Sequence, residues 1–128
     1  MAGGPARLPR LTRRAEFVAV AREGVKAARG PVLVQALRRA GPGLRVGFTA
    51  TRKLGKAVVR NRAKRRLREA ARLEFGAAPP DGWDVVLIAR PGVNEVPFAE
   101  LRAALRGALA RLTGPAAATA SAAPTGQP

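Results

Sequence analysis

The sequence predicts a small α+β domain, and three observations carry that prediction. Apolar residues recur at helical spacing in three stretches, short apolar or alternating runs occupy three others, and glycine–proline punctuation separates the two kinds. Helical and extended stretches interleave along the chain, as expected of helices packed on a sheet around one core. At 128 residues there is length for a single domain with a modest core.

The elements follow in order. Residues 1–10 hold two glycines and two prolines with Arg7 and Arg10, and read as a flexible basic arm. Thr12 is placed to cap a helix running to about Arg22, with Phe17, Val20 and Ala21 on one side and Gly24 as its stop. Val32 to Leu37, after Gly30-Pro31, is apolar and partly β-branched, hence a strand. Gly41-Pro42-Gly43 marks a turn, and a second strand runs from Leu44 to about Thr51. Its alternation puts Val46, Phe48 and Ala50 on one face and Thr49, Thr51 and Lys53 on the other. One side of the sheet is therefore core, the other polar and partly basic.

Gly55 breaks that strand before a helix from about Ala57 to Phe75, which Pro79-Pro80-Asp81-Gly82 closes off. Trp83 to Ala89 is almost continuously apolar, the pattern of an interior strand buried on both faces. Pro97 suits the first turn of a last helix with Phe98, Leu101, Leu105, Leu109 and Leu112 on one side, weakened somewhat by Gly107. From Gly114 the composition turns to Ala, Pro, Thr, Ser and Gly, so the expected division is an arm at 1–10, a domain at 11–113 and a disordered tail at 114–128.

Charge narrows the function. There are 24 lysines and arginines against 8 acids, a formal net charge of +16. A small domain so charged repels itself unless a polyanion is near, and nucleic acid fits better than an anionic membrane surface. Cysteine and histidine are absent, which removes disulfides, thiolate or imidazole metal sites and every mechanism with a His base or Cys nucleophile. The missing cysteines agree with a cytoplasmic protein. No apolar run approaches the roughly 20 residues of a membrane span. The N-terminus has no acid before Glu16, which fits either an RNA-contacting arm or an organellar transit segment.

The helix after Gly55 is the informative part. Between Arg52 and Arg72 stand ten basic residues and one acid, Glu69. Val59, Ala63, Leu67, Ala70 and Leu73 gather on one stripe, Arg66 lies near its edge, and Arg60, Arg62, Lys64, Arg65, Arg68 and Arg72 cover the rest. Like charges at i,i+4 (Arg60, Lys64, Arg68, Arg72) cost a lone helix a few tenths of a kcal/mol per pair. Phosphates between them reverse that sign, and arginine suits bidentate phosphate contacts. With so few acids, ordinary salt-bridge pairing does not explain the run. Asn61, a poor helix former, either contacts a ribose or base or begins the helix one turn later.

The stretch from Arg45 to Glu69, with Arg60-Asn61-Arg62, Lys64-Arg65 and Arg68 at its centre and a strand ending in Arg52-Lys53 before it, resembles the hallmark of the bacterial ribonuclease P protein subunit. Weaker similarity runs from about Leu11 through Leu112. The resemblance implies a two-layer α/β sandwich like the second domain of a small-subunit ribosomal protein, with a left-handed βαβ crossover that the general right-handed rule does not predict. It implies contact with the catalytic RNA through Lys56, Arg60, Asn61, Arg62, Lys64, Arg65, Arg66 and Arg68. A cleft for the 5′ leader of precursor tRNA would take in Phe17, Thr49, Thr51, Arg52 and Lys53. Phe17 either stacks on a base there or packs its helix onto the sheet. Ala21 and Gln35 stand where many relatives have aromatics, so stacking is expected to be weaker in this chain; Trp83 reads as core or strand-end packing.

The resemblance also implies that the RNA subunit, with bound Mg²⁺, performs phosphodiester hydrolysis, and that the protein assists as a monomer by screening phosphate repulsion and gripping the leader. Its own carboxylates (Glu16, Glu23, Glu69, Glu74, Asp81, Asp84, Glu95, Glu100) are scattered and suggest no two-metal site. Two other classes compete: a structural RNA-scaffold protein of ribosomal type, and an architectural DNA-binding protein, for which no minor-groove wedge or symmetric arm is visible. A protein that is itself the nuclease is the least favoured reading.

Overall fold

The computed structural model describes residues 9–76 and 81–113. In chain order these form α1 (Arg14–Glu23), β1 (Val25–Arg29), β2 (Val32–Arg38), β3 (Leu44–Ala50), a 3₁₀ turn (Arg52–Leu54), α2 (Ala57–Phe75), β4 (Trp83–Ala89) and α3 (Phe98–Thr113). The expected arm through residue 8, Pro79 and Pro80, and the tail from Gly114 lie outside the described residues.

One four-stranded sheet has the order β1-β2-β4-β3. β1 pairs antiparallel with β2 and β2 with β4, whereas β3 and β4 run parallel. A parallel pair cannot be closed by a tight turn, and α2 is the crossover that joins it. β4 lies between β2 and β3, which explains its run of apolar residues: six of its seven positions are buried, including Asp84.

The pleat divides the side chains between two faces. Val32, Val34 and Ala36 of β2, Leu44, Val46 and Phe48 of β3, and Trp83, Val85, Leu87 and Ala89 of β4 meet the apolar sides of α2 and α3 in the main core. From α2 come Ala63, Leu67, Ala70, Ala71 and Phe75, from α3 Leu101, Leu105, Ala108, Leu109 and Leu112. The short α1 crosses the other face, where Leu11, Phe17 and Val20 pack with Leu37, Val86 and Ile88.

Three local expectations change. β1 was not anticipated, because Val-Lys-Ala-Ala-Arg carries little β signal; it forms as an edge strand held by a two-residue Gly30-Pro31 hairpin, with Gly30 at φ 53°. Arg13, not Thr12, is the residue before α1, and the N–H groups of Thr12 and Arg13 both donate to Glu16 Oε1 at 3.0 Å. That carboxylate reaches back from the first turn to satisfy donors a capping hydroxyl does not. Finally, β3 stops at Ala50 and the chain tightens into the 3₁₀ turn, so the alternation does not carry through Thr51 to Lys53.

Candidate nucleic-acid interface

α2 begins at Ala57, one residue after Lys56, whose carbonyl accepts from Val59 and Arg60 N–H at 3.0 Å each. Asn61 therefore lies inside the helix, exposed in its second turn. Ala63, Leu67, Ala70 and Ala71 turn to the core and are fully buried, while Asn61, Arg62, Arg65, Arg68 and Glu69 face outward. Small alanines on the seam let the backbone come close to the sheet, which lifts the long side chains at the other positions clear of the core.

Not every cation here is available. Arg66 donates to the carbonyls of Val93 and Val96 at 3.2 and 2.9 Å and stands 5.8 Å from the Phe98 ring centroid, so it ties α2 to the loop before α3. Arg72 pairs with Glu69 at 2.5 Å. Among the described residues, Lys56, Arg60, Arg62, Lys64, Arg65 and Arg68 have no carboxylate within salt-bridge distance. The result is an uncompensated cationic face along one rigid helix, suited to successive phosphates of a polyanion.

The residues expected of a leader cleft divide. Phe17 is half-buried over β3: a Cβ built on Gly47 would lie 2.5 Å from its Cε2, so the ring occupies the space a side chain would need. Of the two roles open to it, packing α1 onto the sheet is therefore visible. Thr49 lies on the same face, beside Ile88 of β4. Thr51 follows the strand with its hydroxyl buried and unpartnered, and Arg52 and Lys53 are exposed on the 3₁₀ turn. Trp83 is buried in the main core with the Arg38 guanidinium 5.0 Å from its ring centroid.

A charged network that residue spacing did not disclose lies under α1. Asp84 is nearly buried in β4 and accepts from Arg45 Nε and Nη2 at 2.8 and 2.7 Å and from Arg39 Nε at 2.8 Å. Arg45 continues to Glu16 Oε2 at 3.1 Å, and Arg39 to the carbonyls of Pro42 and Gly43 at 2.9 and 3.2 Å. Burial pushes the Asp84 carboxyl up, but the hydrogen bonds and charges of Arg45 and Arg39 outweigh it and hold the pKa below its ordinary value. The backbone N–H groups of Arg13 and Thr12, helped by the Arg45 and Arg13 charges, hold Glu16 low as well. The network joins the start of α1, the 39–43 turn, the central strand β4 and its neighbour β3 at the edge.

The model of the ribonuclease P family matches residues 6–113. The chain belongs to the ribonuclease P protein family. The ribonuclease P protein component of Ruegeria pomeroyi is 50% identical over 109 residues, covering 82% of this chain and 86% of the relative. That of Gluconacetobacter diazotrophicus is 48% identical over 105 residues, covering 80% and 90%. The ribonuclease P protein from Thermotoga maritima superposes with a TM-score of 0.65 at 30% identity, covering 77% of this chain and 92% of that one. Membership makes this ribonuclease P protein a ribonucleoprotein subunit in tRNA 5′-end processing, working with an RNA subunit.

Among the described residues no three acids converge into a possible cation site, and Glu16, Glu69, Glu74 and Asp84 are engaged by arginines. No helix among them is long and apolar enough to cross a membrane.

Proposed function

We propose that this ribonuclease P protein binds its catalytic RNA through the open face of α2, with Lys56, Arg60, Asn61, Arg62, Lys64, Arg65 and Arg68 on phosphates and riboses. The uncompensated charge of that face carries the reading: five cations on the folded helix, and Lys56 just before it, have no acid partner among the described residues, and RNA supplies the anions. Arg66, committed to the Val93 and Val96 carbonyls, supports the helix from behind.

The 5′ leader of precursor tRNA is assigned to the polar sheet face beside α1, with Thr49 and the exposed edge of Phe17 at its wall and Arg52 and Lys53 at its end. With the ring of Phe17 packed on Gly47, leader binding there relies on backbone contacts more than on stacking. The protein acts as a cytoplasmic monomer in its free state, and the Mg²⁺ needed for hydrolysis is assigned to the RNA, with no three acids converging among the described residues of the protein.

The test is cleavage of a 5′-extended precursor tRNA by the cognate RNA subunit at low Mg²⁺ and near-physiological salt, with and without the protein. Restored cleavage at the mature 5′ end is expected. An RNA active at high Mg²⁺ that gains nothing from the protein at low Mg²⁺ overturns the reading and moves a purely structural RNA-scaffold role to the front.

A further inference from the structure

Upstream of Thr12, the chain is drawn into the sheet. Val46 of β3 donates its N–H to the Pro9 carbonyl at 2.9 Å and accepts from the Leu11 N–H at 3.0 Å, so Pro9–Leu11 runs beside β3 as the stub of a further strand, with Arg10 opposite Val46. A strand sends alternate side chains to opposite faces. Leu11 goes under α1 and is 3% exposed; Arg10 goes to the α2 side.

There it meets α2. The Arg10 and Arg68 guanidiniums each lie 5.8 Å from the centroid of the same ring, Phe48, which is itself buried at the rim of the main core. Arg65 lies one turn before Arg68 on the open face of α2, and among the described residues none of the three has a carboxylate in reach. Five other arginines, Arg39, Arg45, Arg72, Arg102 and Arg106, do find acids. Burial depresses the Arg68 pKa most, and the charges of Arg10 and then Arg65 add to it in the same direction. An aromatic ring orients planar guanidiniums, and a phosphate oxygen accepts their forked donors.

We propose that Arg10, Arg65 and Arg68 form a phosphodiester-binding site at the junction of the N-terminal strand stub, β3 and α2, so that the segment before α1 is part of the RNA interface. The site deepens the α2 reading and rests on it. Its ligand is one backbone phosphate, contributed by the RNA subunit or by precursor tRNA.

The experiment measures binding of the full-length protein to the RNA subunit across a salt series, for the parent, Arg10→Ala, Arg68→Ala and the double variant. Arg111→Ala, exposed near the end of α3, is the control. Expected is a several-fold loss for each single variant, and a double loss smaller than the product of the two. The double variant should flatten the salt slope by about 1, the loss of one phosphate contact. The melting temperature of free Arg10→Ala should hold or rise, since a repulsion is removed; a purely structural stacking role for Arg10 predicts a fall. Losses that multiply, with a slope change of about 2, mean separate contacts and overturn the shared site. Unchanged affinity together with an unchanged KM for precursor tRNA overturns it also. Unchanged affinity with a raised KM keeps the site and assigns the phosphate to the substrate. If Arg60→Ala and Arg62→Ala also leave RNA affinity intact, the α2 reading itself has failed, separately from Arg10.

Discussion

Arg39, Arg45, Arg102 and Arg106 each reach a buried or half-buried carboxylate, whereas Arg60, Arg62, Arg65 and Arg68 reach none among the described residues. The first group fastens elements together: Arg39 and Arg45 close on Asp84 beneath α1, and Arg102 and Arg106 bring α3 to Glu74 of α2 at 2.5 and 2.8 Å. The second lines one helix face and opposes only itself. The side chain is the same in both, so its role is decided by where the 8 acids are placed. Glu16, Glu74 and Asp84 are spent inside the fold and Glu69 on Arg72, which leaves Arg60, Arg62, Arg65 and Arg68 to an external anion.

The largest effect should come from breaking the first group at its centre. Asp84→Ala leaves two arginines facing a carboxylate that is gone, at a cost of about 2–3 kcal/mol once the partial exposure of both guanidiniums is allowed for. Urea unfolding measures it. Because the Asp84 pKa is depressed in the folded state, its contribution is complete above the unfolded-state value and is lost as pH falls through the folded one. Asp84→Asn should therefore flatten the acid limb of the stability curve, and an unchanged limb would remove Asp84 from the account.

Gly47→Ala displaces Phe17 and α1 while touching no arginine, at about 1–3 kcal/mol. It separates the fit of α1 from the charge network beneath it: RNA-subunit affinity should hold while KM rises for precursor tRNA with a long leader. Glu74→Ala frees Arg102 and Arg106, which are 40% and 61% exposed, so only about 1 kcal/mol is expected, with no change in RNA binding. Smallest in stability is the second group: Arg60→Ala, Arg62→Ala or Arg65→Ala should leave the melting temperature unaltered. Each nevertheless weakens RNA binding and makes its salt slope shallower by about 1. A fall in melting temperature with intact affinity would erase the distinction between the two groups.

Much of this was legible in the sequence where one strong pattern sufficed. α2 spans the expected Ala57–Phe75, β4 the expected Trp83–Ala89, and the leucines of α3 turn inward as their spacing requires. Family membership was legible too, because a strand, a glycine turn and a patterned helix coincide in order. Less legible were features that depend on a partner distant in sequence. β1 is an edge strand of two alanines, a valine and two cations, and it exists because β2 templates it. Lys53 looked like the next step of an alternating strand, but alternation has meaning only while the ladder lasts, and β3 ends at Ala50. Arg66 carried the same signal as its neighbours on α2, and only the Val93 and Val96 carbonyls set it apart. Arg10 read as one charge of an arm until its pairing opposite Val46 showed which way it points.

The strand stub beside β3 has another consequence, for solubility. An open sheet has two edges whose unpaired N–H and C=O groups invite other strands, and proteins blunt them with charge or cover them. β1 is blunted by exposed Lys26 and Arg29. β3 carries no such charge at the middle of its edge, and there Pro9 and Leu11 occupy the Val46 N–H and C=O. Removing residues 1–11 uncovers that edge and bares the apolar patch Leu11 seals, and the shortened protein should self-associate at high concentration where the full chain stays dispersed.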